Sequence, residues 1–477
     1  MSSPDSMSLR ASAWTAFAAL AALSGCTVGP QYHGAPQVAP AALKASTFTR
    51  SPAGGISSTP ALANWWEALG DHELDSLIEA ALHQSPDIRA AEARLRQSRA
   101  GLRQQRGDAL PKGSASAAYL HANLPKSTLG LGAIDFYNVG FDATWEIDIF
   151  GGTRRAIEAA AADAEAVGAD LADTQVQLSA EIANAYVDLR DRQQRIELVR
   201  RSADIEQQVL DLTLQRRAQG VASELDVERV RAQVESTRAS LIPLDADIVE
   251  SLDRLAVLEG REPGALDAEL TSAASLPQLP ETLAVSDPAS LLRQRPDIRA
   301  AEWRLVSKNA QVGQRVADWF PKVTLLGFLG FSAANPGGLA DSKNFMWIGA
   351  PILQWNALDF GHTAARVEQA KGGFEEAQAK YQSTVLGALH DANVALSRYG
   401  HGRDSVTSLR RVEASASHSA ILTEQRYRAG TTSALDWLDS ERTRFSAEQN
   451  RISAEADLIK DFVSLQKSLG IGWRPPG

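Results

Sequence analysis

Apolar and polar positions recur along this 477-residue chain with two different periods, and the change of period marks its elements. Between residues 137 and 149 the period is two. Tyr137, Val139, Phe141, Ala143, Trp145, Ile147 and Ile149 fall on one side, and Asn138, Gly140, Asp142, Thr144, Glu146 and Asp148 on the other. That is the pattern of a half-buried strand. A second strand-like segment, Gly113 to Asn123, precedes it across a loop around Pro125 to Asp135. Elsewhere the period is helical. From Thr153 to Gln219 the chain is nearly free of glycine. Ile182, Tyr186, Leu189, Ile196 and Val199 recur there at helical spacing among Arg, Gln, Glu and Asp, so wet outer faces are expected. At ~1.5 Å per residue such a helix is about 100 Å long. Gly220 ends it, and one return helix is expected from Ser223 to Glu259, closed by Gly260. Upstream, Ser85 as N-cap and Pro86 in the first helical position open a helix that stops at Pro111.

The whole arrangement occurs twice. Pro86-Asp87-Ile88-Arg89-Ala90-Ala91-Glu92 returns as Pro296-Asp297-Ile298-Arg299-Ala300-Ala301-Glu302, a shift of 210 residues. The same shift carries Pro111-Lys112 to Pro321-Lys322, Phe150-Gly151 to Phe360-Gly361, Gly220 to Gly430, Leu225-Asp226 to Leu435-Asp436 and Gly260 to Gly470. A constant offset means a duplicated unit without net insertion. The second copy therefore predicts a helix from Pro296 and strands near Val323–Ser332 and Phe345–Trp355. A long helix from His362 to Ala429 and a return helix to Leu469 complete it. Its first strand is less regular, because Leu325, Leu326, Phe328 and Leu329 occupy both parities. The resulting division is a leader over 1–25, an N-terminal segment over 26–82, repeat 1 over 83–260, a proline-rich linker over 261–292, repeat 2 over 293–470 and a tail over 471–477.

Composition changes the picture in three ways. The net charge of −10 argues against a nucleic-acid partner. Aromatics make up only 6%, which suits long, closely packed helices better than a bulky core. One cysteine excludes an intramolecular disulfide framework. That cysteine, Cys26, directly follows an apolar stretch, Ala11 to Leu23, preceded by Arg10, which has the layout of a signal peptide. Asp5 is out of place in such a leader and points to initiation at Met7. Leu23-Ser24-Gly25-Cys26 resembles a bacterial lipobox, which implies a covalent N-acyl diacylglyceryl lipid on Cys26. Thr27 in place of an aspartate points to the outer membrane. No run of eighteen apolar residues is present, so a spanning helix is not expected.

About ten residues of tilted strand cross a bilayer. One chain offers four such strands, too few to close a barrel, and open edges are not tolerated in hydrocarbon. If the strands meet lipid, several copies share one barrel; three copies would supply twelve strands.

At this point the chain resembles the TolC-like outer-membrane efflux family, specifically its lipoprotein, NodT-type branch. The resemblance rests on Cys26-Thr27-Val28-Gly29-Pro30-Gln31-Tyr32, on Trp65-Trp66 with Leu69-Gly70-Asp71 and on Leu74 through Ile78. It rests further on both Pro-Asp-Ile-Arg helix starts, on Trp145 through Gly151 and on Arg426-Tyr427-Arg428-Ala429-Gly430 leading to Leu435-Asp436. The family implies a mainly helical chain with membrane strands, assembled as a homotrimer. A twelve-stranded β-barrel with four strands per chain is continued by a periplasmic α-helical barrel, and residues 26–82 and 261–292, with the C-terminus, form a belt around it. It implies a passive exit duct for drugs or small metabolites, in the outer membrane and reaching into the periplasm. Its partners would be a periplasmic adaptor, an inner-membrane RND pump and outer-membrane lipid. Two alternatives remain: the same duct serving type I protein or peptide secretion, and a lipid-anchored coiled-coil scaffold without a pore. Trp437 stands where the family usually has a smaller aliphatic residue, and the last strand exits less tidily than usual.

No enzyme chemistry is legible. The eight histidines are scattered and none has a zinc-site spacing. Gly151-Gly152 reads as a strand exit and Gly372-Gly373 as a helix irregularity. Asp436 and Asp439, three apart near the start of the last helix, project from one face. The resemblance places them at the periplasmic tip as a cation-favouring constriction, and implies that Asp226 and Tyr427 help hold that tip shut. Carboxylates at a helix start also serve simply as partners of the helix dipole. The Trp65-Trp66 pair is expected to pin a short segment to the body by burying apolar area.

Overall fold

The computed structural model describes residues 27–51, 56–57, 64–123, 133–285 and 287–473. The leader, Cys26 and most of the expected loop around 125–135 lie outside them. In chain order the elements are α1 (Pro40–Lys44), β1 (Ile56–Ser57), a 3-10 turn (Trp65–Leu69), α2 (His72–Gln84) and α3 (Pro86–Asp108). Next come β2 (Lys112–Asn123), β3 (Ala133–Ile147), α4 (Gly152–Ala218), α5 (Glu224–Ala239), α6 (Leu241–Glu259), α7 (Asp267–Leu270), β4 (Leu283–Ala284) and α8 (Pro288–Gln294). The second half holds α9 (Pro296–Ala317), β5 (Lys322–Ala333), β6 (Phe345–Gln354), α10 (His362–Arg428) and α11 (Ala434–Ser468).

The duplication is structural as well as sequential. Both α4 and α10 are 67 residues long, and their ends are 210 residues apart. Each is followed by a five-residue connection in which a left-handed glycine, Gly220 or Gly430, stops the helix and a serine, Ser223 or Ser433, caps the next one. Each return helix ends at a left-handed glycine, Gly260 or Gly470. A Cβ on Gly260 would lie 2.9 Å from the Gln84 carbonyl oxygen and from Pro86, and one on Gly470 2.8 Å from the Arg295 Cα. The return helices therefore abut the starts of α3 and α9, and only glycine fits at these junctions.

Three expected boundaries or interruptions need correcting. The return helix of repeat 1 is not continuous; α5 and α6 are separated at Ser240. Pro243 lacks the N–H that would bond to the Ala239 carbonyl, so the ladder fails there. Its counterpart α11 has no proline and runs unbroken for 35 residues. Gly372-Gly373 is no irregularity, since α10 passes through both without interruption. Each glycine costs about 1 kcal/mol there, which a helix of this length absorbs. Finally, β3 begins earlier and ends earlier than predicted. Pairing of Ala133 with Asn123 extends its start. Asp148 leaves the strand to accept from the Arg154 N–H at 2.9 Å, opening α4.

The chain forms two compact units. The first takes residues 1–36, 94–168 and 300–382, and contains one antiparallel sheet in the order β2-β3-β5-β6. The register settles the ambiguous parity of β5. Phe141 lies opposite Ala115 and Leu329, and Leu329 opposite Trp347. Trp145 lies opposite Leu325, and Val139 opposite Ala117 and Phe331. Leu325 and Leu329 thus join the apolar side, while Leu326 and Phe328 belong to the other with Ser114, Ser116, Asn138, Asp142 and Thr144.

The second unit takes residues 37–93, 169–299 and 383–477. Here α4 is wrapped, so its outer faces are not uniformly wet as expected. Ile182, Ala183, Ala185, Tyr186, Val187, Leu189 and Arg190 are all buried. The segments before α3 and before α9 do the wrapping, and β1 pairs in parallel with β4. Tyr186 donates to Asp71 at 2.9 Å, and Gln193 to the Leu270 carbonyl at 2.7 Å. Arg190, with no exposed surface, donates to the Ser272 carbonyl at 2.9 Å and to Gln193 at 2.7 Å, pairs with Glu73, and stacks over the Tyr186 ring at 4.8 Å. Trp65 and Trp66 are 2% and 1% exposed, and Trp65 meets Phe462 edge-on at 6.0 Å.

Candidate functional site

Two places in the chain invite a functional reading, one in each unit. The first is the apolar side of the sheet. Phe141 is 67% exposed, Trp347 73% and Leu353 65%, with Tyr119, Val139, Leu329 and Phe345 also exposed. A half-buried strand was expected from the alternation, yet among the described residues no layer of this chain covers that side. Among the described residues no helix is long and apolar enough to cross a membrane, and that says nothing against strands. An apolar sheet face of this extent is unfavourable in water and suited to hydrocarbon. The opposite side is mixed: Ser114, Ser116, Asn138, Asp142 and Thr144 lie on it across β2 and β3, and Leu326, Phe328, Ile348 and Ile352 across β5 and β6. Among the described residues the edge strands β2 and β6 are each paired on one side only, and edges within lipid must be paired.

The second place is the pair of hairpin turns in the other unit. Val209 and Leu210 of α4, Val227, Val230 and Val234 of α5, Tyr427 of α10, and Trp437 and Leu438 of α11 form one buried cluster. It fastens the two hairpins to each other. The Tyr427 ring lies 5.2 Å from Trp437 on one side, and the Arg216 guanidinium sits 4.0 Å from its centroid. Arg216 also donates to the Tyr427 carbonyl at 3.3 Å. Nearby Glu206 is buried between α4 and α5, accepts from Gln233 at 3.2 Å, and has its carboxyl pushed up by desolvation.

The predicted gate residues divide into three kinds. Asp226 and Asp436 are capping residues. Asp436 accepts from the Ser433 N–H at 3.0 Å, the Ser433 hydroxyl at 2.7 Å and the Thr432 hydroxyl at 2.8 Å, and its own N–H donates to Ser433. Asp226 does the same with Ser223. The serine hydroxyls hold both carboxyls below the ordinary aspartate range. Asp439 is exposed and pairs with Arg442 at 2.6 Å. Tyr427 is packed into the hairpin cluster, 2% exposed, its hydroxyl without a partner among the described residues. Asp436 and Asp439 therefore have different partners within one chain. Arg216, Glu206 and the role of Trp437 were not read from the sequence. The Ser-x-x-Asp capping spacing was legible at both turns, whereas Arg216 is identified only by which hairpin it meets. Cys26 lies outside the described residues.

A chain of this construction, with an apolar strand face, open edges and two helices of about 100 Å, defines the class of outer-membrane channels. The family model described as outer membrane efflux protein matches residues 77–261 and 288–471. The chain belongs to that family. Nodulation protein T of Rhizobium leguminosarum bv. trifolii is 30% identical over 95% of this chain and 96% of its own length. Pyoverdine export outer membrane protein OpmQ of Pseudomonas aeruginosa is 30% identical over 95% and 97%. Among solved structures, the outer-membrane channel OprN is 37% identical, with TM-score 0.84 over 94% of this chain and all of the other. The open state of the Neisseria gonorrhoeae MtrE channel is 28% identical, with TM-score 0.83 over 94% and 98%. The family consists of outer-membrane channel proteins that reach into the periplasm, not of enzymes. The protein is an exit duct of that kind.

Proposed function

We propose that this chain works as a homotrimer, the last conduit of a tripartite system in which an RND-type pump selects small-molecule cargo and a periplasmic adaptor joins pump to duct. The observation that carries the reading is the bare apolar sheet face between two strand edges that are unpaired among the described residues. Only closure with further copies gives those edges partners. Relatives are named for pyoverdine, toluene and antibiotics, molecules with little shape in common, which supports a duct that does not itself choose. Val221, 74% exposed at the first hairpin turn, and Leu225 at 58% offer an adaptor an apolar foothold. The acyl lipid on Cys26 holds the N-terminus at the membrane.

Asp439, with Asp436 beside it, lines the narrowest ring at the closed end and favours cations there, while Tyr427 and Asp226 hold the hairpins in place. Planar-bilayer recording of the purified protein tests the duct and the ring together. The native protein is expected to give small, cation-preferring channels. Replacing Asp436 and Asp439 by alanine should widen conductance and remove the preference. Insertion without conductance would overturn the duct; unchanged conductance and selectivity in the double variant would overturn the ring. Mass spectrometry of the mature N-terminus tests the lipid, which Cys26→Ser should abolish.

A further inference from the structure

Where α9 runs into β5, three cations converge on one carboxylate. Asp318 lies 3.6 Å from the Arg315 guanidinium, 3.5 Å from the Lys322 ammonium and 4.0 Å from the Arg366 guanidinium. Glu146 meets the same ammonium at 4.0 Å, so positive charge stays in excess. Nearby Asp108 and Asp148 have cations of their own, Lys112 and Arg154. The separations around Asp318 are long. Arg155 holds Glu158 at 2.7 Å and Arg442 holds Asp439 at 2.6 Å, as charge-assisted hydrogen bonds do. Among the described residues neither the Arg315 nor the Arg366 side chain donates a hydrogen bond. Each guanidinium nonetheless carries five N–H donors in a fixed fork. The two side chains are 45% and 50% exposed, so those donors are open to a ligand.

Both guanidiniums open into a cleft of ≈ 690 Å³ lined by α3, α4, α9 and α10. Ala156, Ala159 and Ala160 of α4 give it an apolar wall. Lys308 stands two turns of α9 from Arg315, about 10 Å away, and there Asp163 and Glu376 line the cleft as well. A carboxylate entering the cleft is therefore directed to the guanidinium end. A volume of this size, with an apolar wall and a few fixed polar groups, is the usual form of a small-molecule site. Lys308, Gln311 and Arg315 share one face of α9 by spacing. The N-terminal segment takes another, where Asn309 donates to the Pro30 carbonyl at 3.2 Å and Gly29 packs on Gly313. Strand parity tells which side of the sheet the cations belong to. Lys322 and Glu146 fall with Asp142 and Thr144, opposite the exposed apolar face, and in a closed barrel that side is the interior. We infer that Arg315 and Arg366 bind the carboxylate of a small organic anion inside the duct, where helices meet strands, with the apolar body of the ligand against the alanine wall. This rests on the duct reading and adds a subsite to it: cations are favoured at the Asp439 ring, organic anions here.

Ligand-detected NMR on the full-length, detergent-extracted protein tests the site, with benzoate as the anion and benzyl alcohol as its uncharged analogue. Benzoate should bind saturably, and benzyl alcohol at least tenfold more weakly. Arg315→Gln with Arg366→Gln should weaken benzoate at least tenfold. Arg315→Lys with Arg366→Lys, which keeps the charge but loses the fork, should weaken it by a smaller factor. Arg231→Gln with Arg238→Gln removes the same charge from the exposed surface of α5 and should leave binding unchanged. Equal binding of the two probes, or benzoate binding unmoved by the glutamine pair, overturns the site. Should that pair fail to assemble, Arg366→Gln alone decides, because its side chain is half exposed and its ion pair is long; unmoved benzoate binding in it overturns the site equally. Planar-bilayer recording in a salt gradient separates the site from the duct. The reversal potential should move toward cation preference in the glutamine pair. A channel that conducts with an unmoved reversal potential overturns the site and leaves the duct reading standing. Insertion without conductance overturns the duct reading, and with it the placement of the site inside a lumen, even where benzoate binds.

Discussion

Trp437 is the test of whether the two hairpins of one chain are fastened to each other. It is 5% exposed, rests against Tyr427, and donates to Glu441 at 3.4 Å. A tryptophan buries ~200 Å², and at about 25 cal/mol per Å² its removal forfeits about 5 kcal/mol. Partial collapse around the vacancy reduces this, so Trp437→Ala is expected to cost about 3–5 kcal/mol. The loss is local, because the neighbours it leaves, Val209, Val230, Val234 and Leu438, all belong to the same small cluster. Open states of such a segment are sampled separately from global unfolding. At about 1.4 kcal/mol per decade, amide exchange should accelerate roughly a hundredfold to a few thousandfold. Hydrogen-exchange mass spectrometry on the detergent-extracted protein reads this in peptides spanning 209–234 and 427–438. Peptides around Tyr186 and Arg190 serve as the reference. If the hairpin peptides keep their native protection, the cluster does not hold the hairpins. If the reference accelerates equally, the effect is global and the hairpin cluster does not open separately.

Other consequences are testable with the same protein. The carboxyls of Asp226 and Asp436 titrate below the ordinary aspartate range because serine and threonine donors favour their charged form. The stability they give the hairpin turns is complete above the unfolded aspartate value and is lost as pH falls through the lower folded value; protection of residues 219–240 and 429–440 should fall over that window, and Ser223→Ala with Ser433→Ala should weaken the dependence, leaving the part carried by the backbone N–H groups and the Thr432 hydroxyl. Arg190→Met removes a fully buried cation from Glu73, the Ser272 carbonyl and the Tyr186 ring. Since Glu73 is 39% exposed, the cost falls at or below the low end of the ~3–5 kcal/mol for breaking a buried pair, and limited proteolysis should cut first within 261–292. Phe141→Lys places a charge on the bare sheet face at about 2–4 kcal/mol near mid-bilayer. Its yield in the outer-membrane fraction should fall, whereas Ser116→Lys on the opposite face should assemble normally.

What the sequence discloses about this fold is whatever one backbone segment must satisfy by itself. Gly220 and Gly430 stop helices because their φ values of +78° and +73° admit little else. The constant offset of such residues revealed the duplication without any knowledge of contacts. Alternation in β3 was legible for the same reason, since parity is a property of one strand. Parity in β5 was not, because Leu325, Leu326, Phe328 and Leu329 assign themselves only when Phe141 and Trp145 supply the register. The break at Ser240 was available in Pro243 but was outweighed by the helical pattern around it. Burial around Arg190 was not available at all, for it is imposed by Glu73 and Ser272, 117 and 82 residues away.

The gate residues illustrate the same boundary in chemical terms. Asp436 and Asp439 share a helix face by spacing, and from spacing alone they form a pair. Structure assigns them different work: one carboxylate is spent on its own N-cap, the other faces solvent beside Arg442. A carboxylate that accepts three hydrogen bonds from its own turn holds that turn's shape, so its removal alters the hairpin as well as the charge. Asp439 carries no such duty, since an exposed i,i+3 ion pair contributes little to stability. The two single substitutions should therefore separate what the double one confounds. Asp439→Ala changes selectivity with the hairpin intact, and Asp436→Ala changes conductance through a loosened turn that exchanges faster. Equal effects from both on selectivity, with hairpin exchange unmoved in either, would mean that the cap is incidental and that charge alone sets the constriction.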